Sequence, residues 1–158
     1  MMKRLLSIMG LAALVTASGA MAETVMVKGT GMGSSDSMQM PVSDGLVVVH
    51  NRTSYDGFET EDPESPFASL SGSCFGATLV EAGAVSGSGN CHYTDADGDQ
   101  AVMAWTATGM SEDGRVSGDW SVVGGTGKWA EASGGGTFDA GGEGADYTNM
   151  VTGEVEMP

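Results

Sequence analysis

Basic residues are scarce in this 158-residue chain, which has six lysines and arginines in all against 21 aspartates and glutamates. So few cations cannot form the patch with which proteins bind nucleic acids or anionic membrane surfaces, and we predict neither partner. Histidine and cysteine occur only twice each, and their spacing matches no transition-metal site. Nucleotide-binding loops and nucleophile elbows are missing as well, so we predict no metal and no cofactor.

Long apolar runs are also missing, except at the start of the chain. Residues 1–22, MMKRLLSIMGLAALVTASGAMA, place two cations before an apolar stretch that is too short to span a bilayer, and they end on small residues. This pattern is typical of a secretory signal peptide. The sequence therefore predicts a periplasmic or secreted protein of a Gram-negative bacterium, without a membrane span after cleavage. Residues 23–158 are predicted to be a single domain with four basic residues against 21 acidic ones, a formal charge of −17.

A helical pattern is missing from this domain. No apolar stripe of helical period lasts three turns, whereas many of the 26 glycines recur between short runs rich in valine, threonine and aromatic residues. The composition therefore predicts an all-β domain, and eight strands are the number of a small closed barrel. The strands are predicted near residues 24–30, 45–54, 69–80, 85–94, 100–109, 116–123, 133–139 and 145–156.

The longest irregular segment is predicted at residues 56–66, DGFETEDPESP, which are acidic and interrupted by two prolines. Surface loops of this length at the mouth of a barrel often gate a ligand site. Whether this loop is a lid is left open.

Three segments carry a family resemblance. They are residues 87–106, GSGNCHYTDADGDQAVMAWT, residues 118–140, GDWSVVGGTGKWAEASGGGTFDA, and residues 145–158, ADYTNMVTGEVEMP. In their order, and in the GGTGK motif of residues 124–128, they resemble the secreted bacterial relatives of the dirigent protein and allene oxide cyclase barrel superfamily. The resemblance implies an eight-stranded antiparallel, calycin-like β-barrel with an apolar lumen.

The same resemblance implies two kinds of partner. In the plant relatives the lumen binds hydrophobic, often oxidised or phenolic, small molecules, and those proteins are often dimers or trimers. A hydrophobic small molecule and further copies of this chain are thus the implied partners. Allene oxide cyclases use a lumenal glutamate with a bound water, and dirigent proteins use lumenal acidic residues. No acidic residue here aligns with those positions, so the resemblance carries over the scaffold alone.

The two cysteines, Cys74 and Cys91, are predicted to form a disulfide after export. If Ala82-Gly83 is a two-residue hairpin turn, residue 74 lies directly opposite residue 91. A reactive thiol pair is the alternative, although no basic residue lies near either cysteine in the sequence to lower the pKa of a thiol.

Two further turns, Asp97-Gly98 and Asp113-Gly114, are interpreted as two-residue hairpin turns as well. The three turns together divide the side chains of the central strands between two faces. The bulkier face is assigned to the barrel interior as the candidate ligand site: Phe75, Leu79, Asn90, His92, Met103, Trp105, Trp120 and Val122. The smaller and more hydroxylic face is assigned to the outside, and it includes Cys74, Thr78, Cys91 and Tyr93.

His92 is the candidate catalytic residue, because this register places its imidazole among lumenal aromatic side chains, where it could serve as an acid or base. The alternative is a structural histidine bonded to a neighbour such as Asn90, or a histidine at the solvated rim of the barrel. Asp95, Asp97 and Asp99 do not fit a calcium loop, since the glycine is fourth rather than sixth. A tight turn flanked by acidic residues is predicted there, and weak calcium binding is left open.

The function predicted from the sequence is binding. An apolar or amphipathic small molecule would occupy the lumen without covalent chemistry, with the aromatic walls supplying affinity and the polar groups fixing orientation. Two alternatives stay open. One is a cyclase or isomerase that uses His92, and the other is a filled barrel whose acidic outer surface meets a partner protein.

Overall fold

The computed structural model describes residues 22–158, which form an antiparallel β-barrel. The predicted signal peptide lies outside the described residues, apart from Ala22. Within the described part, no helix is long and apolar enough to cross a membrane. The elements of residues 22–158 are β1 Glu23–Ser35, β2 Met38–Ser43, β3 Leu46–Thr60, β4 Ser71–Glu81, β5 Ala84–Thr94, β6 Gln100–Met110, β7 Val116–Gly125, a 3-10 helix Gly127–Trp129, β8 Ser133–Glu143 and β9 Asp146–Met157.

Eight of these strands close the barrel. They are hydrogen-bonded in the order β1-β9-β8-β7-β6-β5-β4-β3, and the second half of β3 pairs with the end of β1 to complete the ring. The predicted fold, a closed eight-stranded antiparallel barrel, is confirmed. β2 pairs with the first half of β3 and extends the sheet beyond one end of the barrel.

Strands β2 and β3 differ from the prediction. β3 continues to Thr60, so the first part of the predicted loop 56–66 is strand, held by pairing with β1 and by burial of Tyr55 and Phe58. The sequence does not predict β2. Met38, Met40 and Val42 alternate with Gln39, Pro41 and Ser43, but the run is short and contains a proline, which argues against a strand. All six of its residues are exposed.

The connection between β3 and β4, residues 61–70, contains the rest of the predicted acidic loop. This connection plugs one end of the barrel. Phe67 is only 2% exposed, and Leu70 is fully buried. The centroid of the Phe67 ring lies 5.2 Å from that of Trp120 and 5.7 Å from that of Phe58. The aromatic end of this loop therefore belongs to the hydrophobic core, and the prolines and acidic residues surround it.

Trp129 completes the closed end. It is fully buried in the turn after β7, and its indole Nε1 donates a hydrogen bond to Asp95 Oδ2 at 3.1 Å. The other oxygen of Asp95 accepts from the backbone N–H groups of Asp97 and Asp99, at 2.9 and 3.0 Å. Lys128 Nζ lies 2.9 Å from Asp95 Oδ2. The GGTGK motif thus ties the β7–β8 connection to the β5–β6 loop.

The Ala82-Gly83 turn is confirmed. Glu81 pairs with Ala84 across it, and Cys74 pairs with Cys91 and forms the predicted disulfide. Both turn residues have positive φ, 50° for Ala82 and 86° for Gly83, which a two-residue type I′ turn requires.

The two Asp-Gly turns are instead parts of five-residue loops, residues 95–99 and 111–115. In the first, the backbone N–H of Asp95 donates to the carbonyl of Asp99 at 2.9 Å. The register between β5 and β6 is consequently displaced by one residue, and Cys91 rather than His92 lies opposite Met103. Since a one-residue shift exchanges the two faces of a strand, β4 and β5 are turned over relative to the prediction.

The second loop does not have this effect. It displaces the register between β6 and β7 by one residue, and a bulge between Ala107 and Gly109 displaces that register by one residue more. Trp105 consequently lies opposite Trp120. A shift of two residues preserves the faces. β6 and β7 therefore present to the interior the side chains that the sequence assigns there.

Candidate functional site

The barrel lumen is a cup, closed at one end and open at the other. A deep cavity of about 90 Å³ lies above Phe67 and among the aromatic side chains. A wider cavity of about 560 Å³ lies at the open end, near the β4–β5, β6–β7 and β8–β9 turns. The two cavities adjoin, because both are lined by Asn51, Thr78, Val116, Ala140 and Tyr147.

Aromatic rings form most of the deep wall. All three tyrosines of the chain are there, and the Tyr55 ring centroid lies 6.2 Å from that of Tyr93 and 6.4 Å from that of Tyr147. On the other side Trp105 makes an edge contact with Phe138 at 6.4 Å. Trp105 can lie flat on the wall only because residues 76 and 89 are glycines, where a Cβ would collide with its indole. These surfaces suit a flat apolar molecule.

Several polar groups in the deep cavity are already paired. Asn51 Nδ2 donates to Thr78 Oγ1 at 3.1 Å, and the Tyr93 hydroxyl lies 3.1 Å from Cys74 Sγ. Asn149 is the exception. It is 9% exposed, and its Oδ1 has no hydrogen-bond partner among the residues that the structure describes. The deep cavity thus combines an apolar wall with a buried acceptor, Asn149 Oδ1, that has no partner among the described residues.

Four predicted site residues lie on the inner face. Met103 and Trp120 are buried, and Trp105 and Val122 pack against the same hydrophobic core. Their placement follows from the preserved faces of β6 and β7.

The other four predicted site residues are corrected by the structure, since they lie on the outer face of β4 and β5. Phe75 is 52% exposed and Leu79 is exposed as well. Phe75 borders the deep cavity, but its neighbours Cys74 and Gly76 face inward, so its side chain points outward. Asn90 and His92 are exposed, and His92 Nε2 lies 3.2 Å from Gln100 Oε1 at the surface. The one-residue displacement at residues 95–99 is the reason.

Two groups of lumen residues are not identified from the sequence. One lies on β4 and β5, whose faces are exchanged relative to the prediction, and the other lies on β3 and β9. Thr78, Cys91 and Tyr93 face inward, although the prediction assigns them to the outside. Tyr55 and Asn149 lie on β3 and β9, whose registers the three predicted turns do not determine. Their signal is alternation alone: Thr53 and Tyr55 on β3, and Tyr147, Asn149 and Val151 on β9, are each spaced by two residues.

Lys128, from the β7–β8 connection, pairs with two carboxylates of the Asp95 loop. Its Nζ lies 2.9 Å from Asp95 Oδ2 and 3.1 Å from Asp97 Oδ2. Among the described residues no group of three or more potential ligands is arranged to hold a metal. Burial alone would raise the pKa of Asp95, but hydrogen bonds from Lys128, Trp129 and the backbone N–H groups of Asp99 and Asp97 hold it below its ordinary value.

Burial raises the pKa of the lumenal tyrosines. The effect is large for Tyr55, where the neighbouring Tyr93 and Tyr147 add to it, and also for Tyr93 itself. Burial likewise raises the pKa of Tyr147. All three hydroxyls therefore stay neutral at physiological pH, so no described side chain lining the deep cavity is charged.

We expect the barrel to lose stability in alkali for this reason. A folded-state pKa above the unfolded value contributes stability that is complete below pH ~10 and is lost as the pH rises further, by about 1.4 kcal/mol per pH unit for each such tyrosine. Tyrosinate absorbance should appear together with the loss of near-ultraviolet circular dichroism. The Tyr93→Phe variant should lose stability less steeply. Ionisation of the tyrosines in a barrel that stays folded would contradict this expectation.

The similarity of this chain to known proteins is to solved structures. No family profile matches the chain, and no curated protein matches it. A pterocarpan synthase dirigent protein of known structure is similar at a TM-score of 0.48 and 15% identity, over 93% of this chain and 97% of that one. A conserved protein of unknown function from Rhodopseudomonas palustris is similar at a TM-score of 0.46 and 11% identity, over 86% of this chain and 99% of that one. In architecture the chain is a closed eight-stranded antiparallel barrel.

Proposed function

We propose that this protein is an exported barrel that binds an apolar or amphipathic small molecule in its lumen without covalent chemistry. The observation that carries the proposal is the one-ended cup, in which an aromatic deep cavity opens into a wider mouth of about 560 Å³. Ligand sites usually combine such a concave apolar wall with a few polar groups. Export is supported by the leader-like residues 1–22 and by the disulfide.

The two alternatives receive less support. The cyclase or isomerase alternative relied on His92, which lies on the outer face and contacts Gln100. The filled-barrel alternative expects no cavity large enough for a ligand, whereas the mouth alone has the volume of ordinary ligand pockets, about 300–1,000 Å³. Binding without chemistry is therefore the function that we propose.

The test is native mass spectrometry of the protein exported by its own host and purified gently. We expect a reproducible mass excess over the polypeptide, which disappears when the same sample is denatured. The Thr78→Phe variant should lose this excess, because Thr78 is buried and lines both cavities, so a phenyl ring there would fill the passage between them.

Ala77→Phe is the matched control. Residue 77 is adjacent on β4 but exposed on the outer face, so the same added ring should leave the bound mass in place. A wild-type protein that carries no bound mass and takes up no small apolar molecule in solution would refute the proposal. Equal retention by the two variants would show that the ligand binds outside the lumen.

A further inference from the structure

The polarity of the lumen narrows the class of ligand. In the deep cavity, the Asn and Thr side chains are Asn51, Thr53, Thr78 and Asn149, which are all uncharged. Acidic residues are common in the chain, with 21 in all, but none of the described ones lines the deep cavity. An ionised ligand would therefore lose its hydration without meeting a counter-charge, which costs several kcal/mol. The deep cavity accordingly favours an uncharged molecule.

Asn149 supplies the second constraint. Alternation along β9 places Asn149 between the inward-facing Tyr147 and Val151, all three lining the deep cavity. Its Oδ1 is buried without a partner among the described residues, and an amide oxygen can only accept a hydrogen bond. A buried acceptor that stays unpaired costs about 1–3 kcal/mol. A ligand that donates a hydrogen bond to this oxygen would recover that loss.

The Asn149 amide lies near the Tyr55 hydroxyl. Burial raises the pKa of Tyr55, the neighbouring Tyr93 and Tyr147 add to that rise, and the Asn149 side chain lowers it. The other lumenal amide, Asn51, already donates to Thr78 Oγ1 and to the Val49 carbonyl. Among the described residues, Asn149 Oδ1 is therefore the buried side-chain polar atom that lacks a hydrogen-bond partner.

From these observations we infer that the lumen selects uncharged planar molecules that carry an N–H or O–H donor, and that Asn149 Oδ1 accepts the hydrogen bond from that donor. The inference rests on the proposed lumen-binding function and adds to it the chemistry of the ligand. The rings of Tyr55, Tyr147 and Trp105 contact the flat part of such a molecule, and any longer substituent extends into the mouth.

Three related probes test the inference in calorimetric titrations of the mature, disulfide-bonded protein. Indole is uncharged and has an N–H donor, benzofuran has nearly the same shape but an oxygen in place of the N–H, and indole-3-acetate is an anion. We expect indole to bind about tenfold more tightly than benzofuran, which corresponds to one buried hydrogen bond. Indole-3-acetate should bind at least about 100-fold more weakly than indole.

Variants assign the preference to one residue. Asn149→Leu, similar in size, should bind indole and benzofuran equally, whereas Asn90→Leu, on the exposed outer face of β5, should keep the wild-type preference. If Asn149→Leu does not fold, the side-chain amide resonance of Asn149 in the wild-type NMR spectrum decides instead. It should shift with indole and not with benzofuran.

Several outcomes would overturn the inference. Equal affinities for indole and benzofuran, tighter binding of the anion, or an unchanged preference in Asn149→Leu would each refute the assigned chemistry while leaving lumen binding intact. Failure of all three probes to bind would also refute it. The proposed function would then still be judged separately, by the bound mass and its loss in Thr78→Phe.

Discussion

Phe67→Ala is expected to lower the free energy of unfolding by about 3–5 kcal/mol, the usual cost of truncating a fully buried aromatic side chain. Phe67 is 2% exposed and contacts Phe58, Trp120 and Trp129. The other buried residues of loop 61–70 are Ser65 and Leu70, while residues 61–64 are exposed, so Phe67 is the largest side chain that holds this loop in the barrel. Urea unfolding followed by near-ultraviolet circular dichroism measures the loss.

Phe75→Ala is the control for this prediction. It removes the same side chain from the outer face of β4, where Phe75 is 52% exposed, and should cost less than about 1 kcal/mol. Phe67→Ala should also speed the release of a bound ligand, because it opens a second passage at the closed end. If both variants lose the same small amount of stability, loop 61–70 does not plug the barrel.

Asp95→Ala is expected to lower the free energy of unfolding by about 3 kcal/mol. The Asp95 side chain is fully buried, and its removal leaves Trp129 Nε1 and the N–H groups of Asp97 and Asp99 without their acceptor. Each buried donor left unpaired costs about 1–3 kcal/mol. The expected loss in the free energy of unfolding is smaller than the sum of these three costs. Water can reach the adjoining loop and Lys128, which is 36% exposed, and it compensates part of the loss.

The effect of Asp95→Ala should depend on pH. Burial alone would raise the pKa of Asp95, but its hydrogen bonds hold it below the ordinary value. A lowered folded-state pKa contributes stability that is present above pH ~4 and is lost as the pH falls through the folded-state value. The difference between wild type and variant should therefore narrow from about pH 5 downwards. A difference that stays constant down to pH ~2 would contradict the assignment.

Asp97→Ala is the control for this second prediction. Asp97 contacts the same lysine at 3.1 Å, but its side chain is 73% exposed. Exposed ion pairs contribute about 0–1 kcal/mol, so this variant should unfold almost like wild type. A large loss in Asp97→Ala would mean that the acidic loop is stabilised by its charge as a whole rather than by the buried carboxylate.

Eight of the nine strands in residues 22–158 and the first hairpin follow from local sequence, although β2 is not predicted and β3 extends further than predicted. Ala82-Gly83 can adopt the backbone angles of a two-residue turn without help from distant residues, and that turn alone sets the register of β4 against β5. The disulfide between Cys74 and Cys91 could therefore be predicted from spacing.

The composition of the candidate site could be predicted only in part. Met103, Trp105 and Trp120 were assigned to the lumen, while Tyr93 and Thr78 were assigned to the outside and proved to lie inside. The difference came from one loop. Asp97-Gly98 alone favours a two-residue turn, but the loop has five residues because the buried Asp95 accepts hydrogen bonds from within the loop and from Trp129, 34 positions further along the chain.

The sequence by itself determined that the chain forms short glycine-separated strands in a closed barrel and that the two cysteines meet, since these features depend on alternation and on one tight turn. Only the tertiary structure decided which face of β4 and β5 points inward, that Phe67 plugs one end, and that Asn149 is left with a free acceptor. Side chains along a strand alternate between the two faces of the sheet. One additional residue in a loop therefore exchanges the inward-facing and outward-facing side chains of the adjoining strand. That residue is placed by contacts with parts of the chain that the local sequence does not contain.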